Sequence, residues 1–233
     1  MQHKAYGPYE KYVKRPFDFC CGLAAVLVFS WLYLILMVLG AIFMRGNPFF
    51  TQERPGKNEK IFKLIKFRTM DNRKDENGNL LPDDVRLNRY GRFLRKTSLD
   101  ELPEAFNIIK GDMSVIGPRP QLVRDMVFMT QQQRRRHDVR PGLTGLAQVN
   151  GRNNITWEQK FEYDLQYIDQ GITFIGDIKI ILQTVLKVIK RMDTVREGTA
   201  SDMDFGDWLV LEGKVSEGEY QQKQAEAKEL LGV

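Results

Sequence analysis

Two adjacent carboxylates, Asp100 and Glu101, with cationic side chains on stiff turns around them, are the part of this sequence best equipped for chemistry. A carboxylate attacking a phosphoryl group meets charge repulsion, which Lys, Arg or Mg2+ must neutralise at the phosphate oxygens. Aspartate can then act as a covalent nucleophile and form an acyl phosphate. A neighbouring glutamate can accept the proton of a second substrate or help to hold it. The cations are at hand. Lys66 and Arg68 precede the pair on one segment, Arg92 and Arg95 lie one to two helical turns upstream, Arg119 sits between two prolines in Gly117-Pro118-Arg119-Pro120, and Arg140 stands before Pro141-Gly142. Prolines restrict the backbone that presents an arginine, and a guanidinium grips phosphate as a bidentate fork. Each feature also has an ordinary reading. Asp100 as an N-cap would put Pro103 in the first helical turn, Ser98 and Glu101 have the spacing of a capping box, and a lone arginine is a solvated charge. On local evidence the ordinary readings win; the gathering of so many cations beside two carboxylates is what favours an anion site.

The elements that must position these residues follow from pattern. Residues 48–70 read as a basic β-hairpin, with Arg54-Pro55-Gly56-Lys57-Asn58 as its turn and alternation from Ile61 to Met70. Residues 71–84 are polar, turn at Asn77-Gly78 and read as a loop. Residues 85–110 read as mainly helical, 111–120 as irregular, 121–138 as an amphipathic helix ending in Arg134-Arg135-Arg136-His137, and 140–152 as a Gly-rich loop. Thr156 and Gln159 form a capping box ahead of a helix with an apolar stripe at Phe161, Leu165 and Ile168. Asp177 is placed to cap the next helix, whose Ile178, Ile181, Leu182, Val185 and Val188 recur at helical spacing. That helix suits an anionic membrane surface, although packing on a core explains the same periodicity. The acidic tail ends in a helix near 216–231. There is no internal repeat, P-loop, GxGxxG or Cys/His metal spacing.

The 233 residues carry a net charge of +5, which suits anionic partners: phospholipid head groups, phosphorylated substrates or nucleic acid. The two cysteines, Cys20 and Cys21, are adjacent and cannot staple a fold, which points to a reducing compartment. Two histidines, His3 and His137, argue against a His-rich metal site or a Ser-His-Asp triad. Phe19 to Met44 carries no charge over about 26 residues, ~39 Å as a helix, long enough to cross a bilayer core. Basic residues flank it on both sides: Lys4, Lys11, Lys14 and Arg15 before, Arg45, Arg54 and Lys57 after. Positive flanks prefer the cytoplasmic side, so a re-entrant helix satisfies both and a span only one. Sharp bends need Pro or Gly/Ser, and the middle of the run has only Ser30-Trp31 and Gly40. Residue physics alone therefore leans to a plain span.

Seven ordered blocks resemble the bacterial sugar transferase family of small monotopic phosphoglycosyl transferases. They are Lys14-Arg15-Pro16-Phe17-Asp18, Thr51-Gln52-Glu53-Arg54-Pro55-Gly56, Lys66-Phe67-Arg68-Thr69-Met70, Ser98-Leu99-Asp100-Glu101-Leu102-Pro103, Lys110-Gly111-Asp112-Met113-Ser114, Gly117-Pro118-Arg119-Pro120 and Arg140-Pro141-Gly142-Leu143-Thr144-Gly145. The resemblance covers roughly residues 8–196. It implies a mainly α fold with a small β-hairpin: an N-terminal membrane-embedded re-entrant helix over 1–46, a cytoplasmic α/β catalytic domain with interfacial amphipathic helices over 47–196, and a helical tail over 197–233. It implies that Asp100 is the nucleophile on the β-phosphate of a UDP-sugar, with Glu101 its dyad partner and Mg2+ beside Asp100. Lys66, Arg95 and Arg119 match positions tied to phosphate binding, with Arg140 as a further phosphate contact. UMP leaves, and polyprenol phosphate then takes the phosphosugar, an N-acetylated amino sugar by similarity to the minimal members, whose form this chain resembles. The implied setting is the cytoplasmic face of the bacterial inner membrane, with an anionic membrane as partner, no nucleic acid, and a homodimer left open. Relatives break the membrane helix at Ser-Pro, where this chain has Ser30-Trp31. Two other readings stand beside this one: a conventional membrane glycosyltransferase that releases UDP, and a non-catalytic basic protein binding lipid or nucleic acid through Arg134-Arg135-Arg136.

Overall fold

The computed structural model describes residues 3–151, 155–190 and 203–232. The chain is mainly helical. A π-helical turn at Tyr9–Val13 leads into α1 (Lys14–Val28) and α2 (Ser30–Phe43). Strands β1 (Phe49–Pro55) and β2 (Ile61–Phe67) form the expected antiparallel hairpin, with Phe50 opposite Lys66 and Arg54 opposite Phe62. Helices α3 (Asp83–Arg86), α4 (Arg89–Thr97) and α5 (Glu104–Lys110) follow, a 3-10 turn at Leu99–Glu101 lying between the last two. Then come β3 (Ser114–Ile116), α6 (Val123–Met126), α7 (Gln131–Arg134), a 3-10 turn at Arg135–Asp138, β4 (Gly142–Thr144) and α8 (Leu146–Val149). Helices α9 (Trp157–Asp169), α10 (Phe174–Lys190), α11 (Phe205–Leu211) and α12 (Glu217–Leu231) complete the described residues.

The apolar N-terminal run is not one straight helix. It bends by 65° at Phe29, and among the described residues no single helix is long and apolar enough to cross a membrane. No proline makes the bend. Tertiary contacts hold its two arms in different directions. Gly22 of α1 lets that helix lie against α5, where a Cβ would come within 3.3 Å of the Ala105 carbonyl oxygen. Arg15 donates to the Ile108 and Ile109 carbonyls at the end of α5, at 2.6 and 2.7 Å. The other arm is tied down by the Tyr33 hydroxyl, which donates to the Leu102 carbonyl, and by Tyr90, which donates to the Leu36 carbonyl. Leu27, Val28, Trp31, Leu34 and Ile42 are left exposed around the bend.

A buried polar network anchors α1. The Lys14 ammonium lies 3.2 Å from Asp18 and 2.9 Å from Asp177. Asp18 also accepts from the Ser114 hydroxyl and the Val115 amide, and Asp177 from the Tyr9 and Tyr167 hydroxyls. Asp177 is thus a fully buried residue in the first turn of α10 and not the N-cap its sequence position suggested. Its carboxylate is used across the fold, where paired hydroxyls and an ammonium replace water.

Two further expectations need correction. The amphipathic helix expected over 121–138 is broken into α6, α7 and a 3-10 turn, because buried Val123, Met126 and Val127 serve one core cluster while Arg136 turns inward on another side. Residues 85–110 are mainly helical as expected, with α4 ended by Ser98, which takes a left-handed φ of 55°. The two Gly/Pro-rich stretches are not free loops: β3 and β4 pair in parallel, and each stretch presses backbone against backbone. A Cβ on Gly142 would sit 2.1 Å from the Gly117 nitrogen. The capping box at Thr156 and Gln159 and the helix near 216–231 are present as expected. The tail packs into the fold: Phe205 joins Trp157 and Phe161, and Ala227 joins Val123 and Met126. The boundary expected at residue 196 and the loop end at Arg152 lie outside the described residues.

Candidate active site

Asp100 stands in the 3-10 turn between α4 and α5, where Ser98 in its left-handed conformation turns the chain. It is not an N-cap; Pro103 holds that position before α5. The capping-box reading of Ser98 and Glu101 also fails, since the Ser98 side chain caps nothing. Glu101 is used elsewhere. One of its oxygens, Oε1, lies 3.0 Å from the Lys66 ammonium of β2 and 2.7 Å from the Arg119 guanidinium. Lys66 also lies 3.0 Å from Oε1 of Glu104, in the first turn of α5. Arg95, on the last turn of α4, donates to the Thr69 hydroxyl at 3.1 Å and faces the charge of Asp100.

The electrostatics follow from this crowding. Burial and the Glu101 charge push the Asp100 carboxyl above its usual range, against the pull of Lys66, Arg95 and Arg119. Among the described residues neither a hydrogen bond nor an ion pair holds the half-buried Asp100 carboxylate. Burial works to neutralise Lys66, but the charges of Glu101 and Glu104 outweigh it and hold the ammonium charged above its ordinary range. The Glu101 carboxylate likewise raises the Arg119 guanidinium, burial opposing it. Glu104 is raised to about 7, by burial first, with Lys66 opposing and Glu101 adding to it. Among the described residues one carboxylate, Asp100, is therefore left without a bonded counter-ion, while Glu101 and Glu104 orient the cations beside it.

The segment that presents Arg119 is held from behind. Arg136 donates to the Arg119 carbonyl at 2.6 Å and pairs with Asp164 of α9 at 2.6 Å, both side chains nearly inaccessible. Arg54 of β1 donates to the Pro120 carbonyl at 3.3 Å.

The family model described as Bacterial sugar transferase matches residues 9–191. The chain belongs to the bacterial sugar transferase family. It is an enzyme, a sugar-phosphate transferase. It is 48% identical over 179 residues to "Uncharacterized sugar transferase EpsL" of Bacillus subtilis (strain 168), covering 76% of this chain and 87% of that protein. It is 36% identical over 189 residues to "Exopolysaccharide production protein ExoY" of Rhizobium meliloti (strain 1021), covering 74% and 83%. It is 38% identical over 184 residues to "UDP-glucose:undecaprenyl-phosphate glucose-1-phosphate transferase" of Klebsiella pneumoniae, covering 75% of this chain but 39% of that longer protein.

In this sugar transferase the fold brings Asp100, Glu101, Lys66, Arg95 and Arg119 together. Arg140 stands apart: it donates to the Gly111 carbonyl at 2.9 Å, and the charges it feels are those of Arg15 and Asp18. His137 is buried beside Glu59, and burial lowers its pKa. The Arg134-Arg135-Arg136 run does not present three open cations, because these pair with Glu59, Asp169 and Asp164. Glu104, Arg54 and Arg136 were not singled out as site residues. Glu104 reads as an ordinary acidic residue in a first helical turn, and no local signal separates it from one. A hint for Arg54 was available, since it falls in the family-like block before Pro55-Gly56.

Proposed function

We propose that this transferase moves a sugar 1-phosphate from a UDP-sugar to a polyprenol phosphate through a covalent intermediate on Asp100. An Asp100 oxygen bonds to the β-phosphorus, the bond from that phosphorus to the bridging oxygen breaks, and UMP leaves with the electron pair. An oxygen of the lipid phosphate then bonds to the same phosphorus and expels the Asp100 carboxylate, giving a polyprenol diphosphate-sugar. The observation that carries this reading is the Asp100 carboxylate, without a bonded partner among the described residues, next to Lys66 and Arg119 held in place by Glu101. Cations so placed can neutralise developing charge without reorganising. The names of two relatives add support: those from Klebsiella pneumoniae and Salmonella typhimurium name undecaprenyl phosphate with glucose and with galactose.

Mg2+ fits the donor set. It takes few protein carboxylates together with substrate phosphates, and Asp100 supplies a hard oxygen that has no competing ion pair among the described residues. Among the described residues no group of three or more His, Cys, Asp or Glu forms a cage for a metal, as suits such a site. When bound, the ion would offset charge on the phosphate oxygens. The bent α1–α2 pair, with exposed apolar side chains and basic residues on both flanks, supports a re-entrant membrane element whose two ends share the cytoplasmic face of the bacterial inner membrane. The exposed Ile175, Leu182, Val185 and Leu186 of α10 suit the membrane surface beside it.

The deciding experiment incubates the enzyme with UDP-sugars, Mg2+ and polyprenol phosphate and identifies the nucleotide released. UMP supports the proposal, and UDP establishes a conventional glycosyltransferase instead. Asp100→Asn should lose the phosphosugar adduct and at least about a thousandfold in UMP release; an adduct that persists rejects Asp100 as nucleophile. A panel of donors decides between the proposed N-acetylated amino sugar and the hexoses named for relatives.

A further inference from the structure

Glu104 has no part in the transfer chemistry described above, yet it shares the cation at the centre of the site. Its side chain is 2% exposed and its only bonded counter-ion among the described residues is Lys66, which it shares with Glu101 at equal distances of 3.0 Å. The charged groups facing it come from four elements: Lys66 on β2, Arg54 on β1, Glu101 in the 3-10 turn, and Arg119 in the segment after β3. Helix α1 runs along α5 from Ala105 to Ile109, and its Arg15 serves the Ile108 and Ile109 carbonyls at the end away from Glu104. Among the described residues three carboxylates (Asp100, Glu101, Glu104) face Lys66, Arg95, Arg119 and, from β1, Arg54, so most of the positive charge is already matched before an anion enters.

An entering diphosphate brings two negative charges and competes for the same N–H donors. Lys66 has three, and those turned to phosphate are lost to the carboxylates. Glu101 retains Arg119 at 2.7 Å and has a side chain 12% exposed, so water and a second cation can compensate it. Glu104 has neither. A buried carboxylate stripped of its counter-ion neutralises by taking a proton rather than remaining charged. We infer that Glu104 takes up a proton as the donor diphosphate draws Lys66 away, so that donor binding is proton-linked. This rests on the reading that a UDP-sugar binds at Asp100 and adds Glu104 to it as a charge-balancing, positioning residue. Burial already holds Glu104 near the neutral range, at about 7, so a moderate loss of positive potential is enough to complete the protonation.

The test titrates the full-length enzyme with UDP in excess Mg2+ by calorimetry at pH 7.5, in buffers of different ionisation enthalpy. UDP is the moiety common to every proposed donor. Wild type should take up about 0.5 to 0.7 of a proton per UDP bound, and Glu104→Gln close to none. Over pH 7 to 8.5 the wild-type Kd should weaken by about tenfold, and that of the variant by less than about twofold. The UDP phosphate titrates alike in both proteins and cancels in the comparison. Binding without proton uptake by wild type overturns the inference even if the variant cannot be purified, and so does equal uptake by Glu104→Gln. Failure of UDP to bind at all refutes instead the reading of the site as a UDP-sugar site.

Discussion

Replacing Lys66 by methionine tests the electrostatic core of the site. The substitution keeps most of the side-chain volume and removes the ammonium that touches Glu101 and Glu104 at 3.0 Å each. Deleting one partner of a buried ion pair costs about 3–5 kcal/mol, because it leaves an uncompensated charge. The lower end applies here. Lys66 has a side chain 18% exposed, and Arg119 still holds Glu101. A loss of about 3 kcal/mol corresponds to about 6–12 °C in Tm for a chain of this size. The pH dependence has a definite sign. Glu104 holds its proton more tightly folded than unfolded, so its contribution to stability falls as pH rises from about 4.5 to 7. Without Lys66 its folded pKa rises further, and the fall extends to higher pH. Lys66→Met should therefore be strongly destabilised at pH 8 and only by about 1 kcal/mol at pH 6, where Glu104 carries a proton. Lys66→Met with Glu104→Gln should recover most of the loss at pH 8 while remaining inactive. The assay is thermal unfolding in detergent micelles at both pH values. An unchanged Tm for Lys66→Met at pH 8, or a double variant no more stable than the single, would refute the reasoning.

Other expectations concern the parts that hold the site. Tyr33→Phe removes the bond from α2 to the Leu102 carbonyl beside the catalytic turn; it should cost about 1–2 kcal/mol and lower kcat more than it raises KM, as steady-state kinetics would show. Arg136→Met strands Asp164 and frees the Arg119 carbonyl; about 3–5 kcal/mol should be lost in denaturant unfolding, with Arg136→Lys restoring part of it. Phe205→Ala empties the aromatic cluster with Trp157 and Phe161, whose ring centroids lie 5.2 and 5.0 Å away; a loss of about 3–5 kcal/mol would show that the tail belongs to the folded unit, and a loss below about 1 kcal/mol would show that it does not.

Much of this protein could be read from its residues in order. The hairpin follows from period-two alternation around a Pro-Gly turn, and the α9 cap from Thr156 and Gln159, because both depend on contacts a few residues apart. The family is legible too, since its motifs are contiguous blocks. Other features depended on partners far along the chain. Asp177 looks like a cap until Tyr9 and Lys14, more than 160 residues earlier, are found on its carboxylate. The bend at Phe29 has no proline to announce it and follows from Tyr33, Tyr90 and Arg15 gripping distant carbonyls. Arg140 resembles Arg119 in sequence, each set beside proline, yet only Arg119 reaches Glu101. Glu104 resembles any acid in a first helical turn, and only the approach of Lys66 from another element gives it a distinct charge state. Residue type and spacing thus determined which chemistry was available to this chain. Which carboxylates became tied to cations, and which cations were brought near Asp100, was decided by tertiary packing, because burial and Coulomb interaction depend on distance in space and not along the chain.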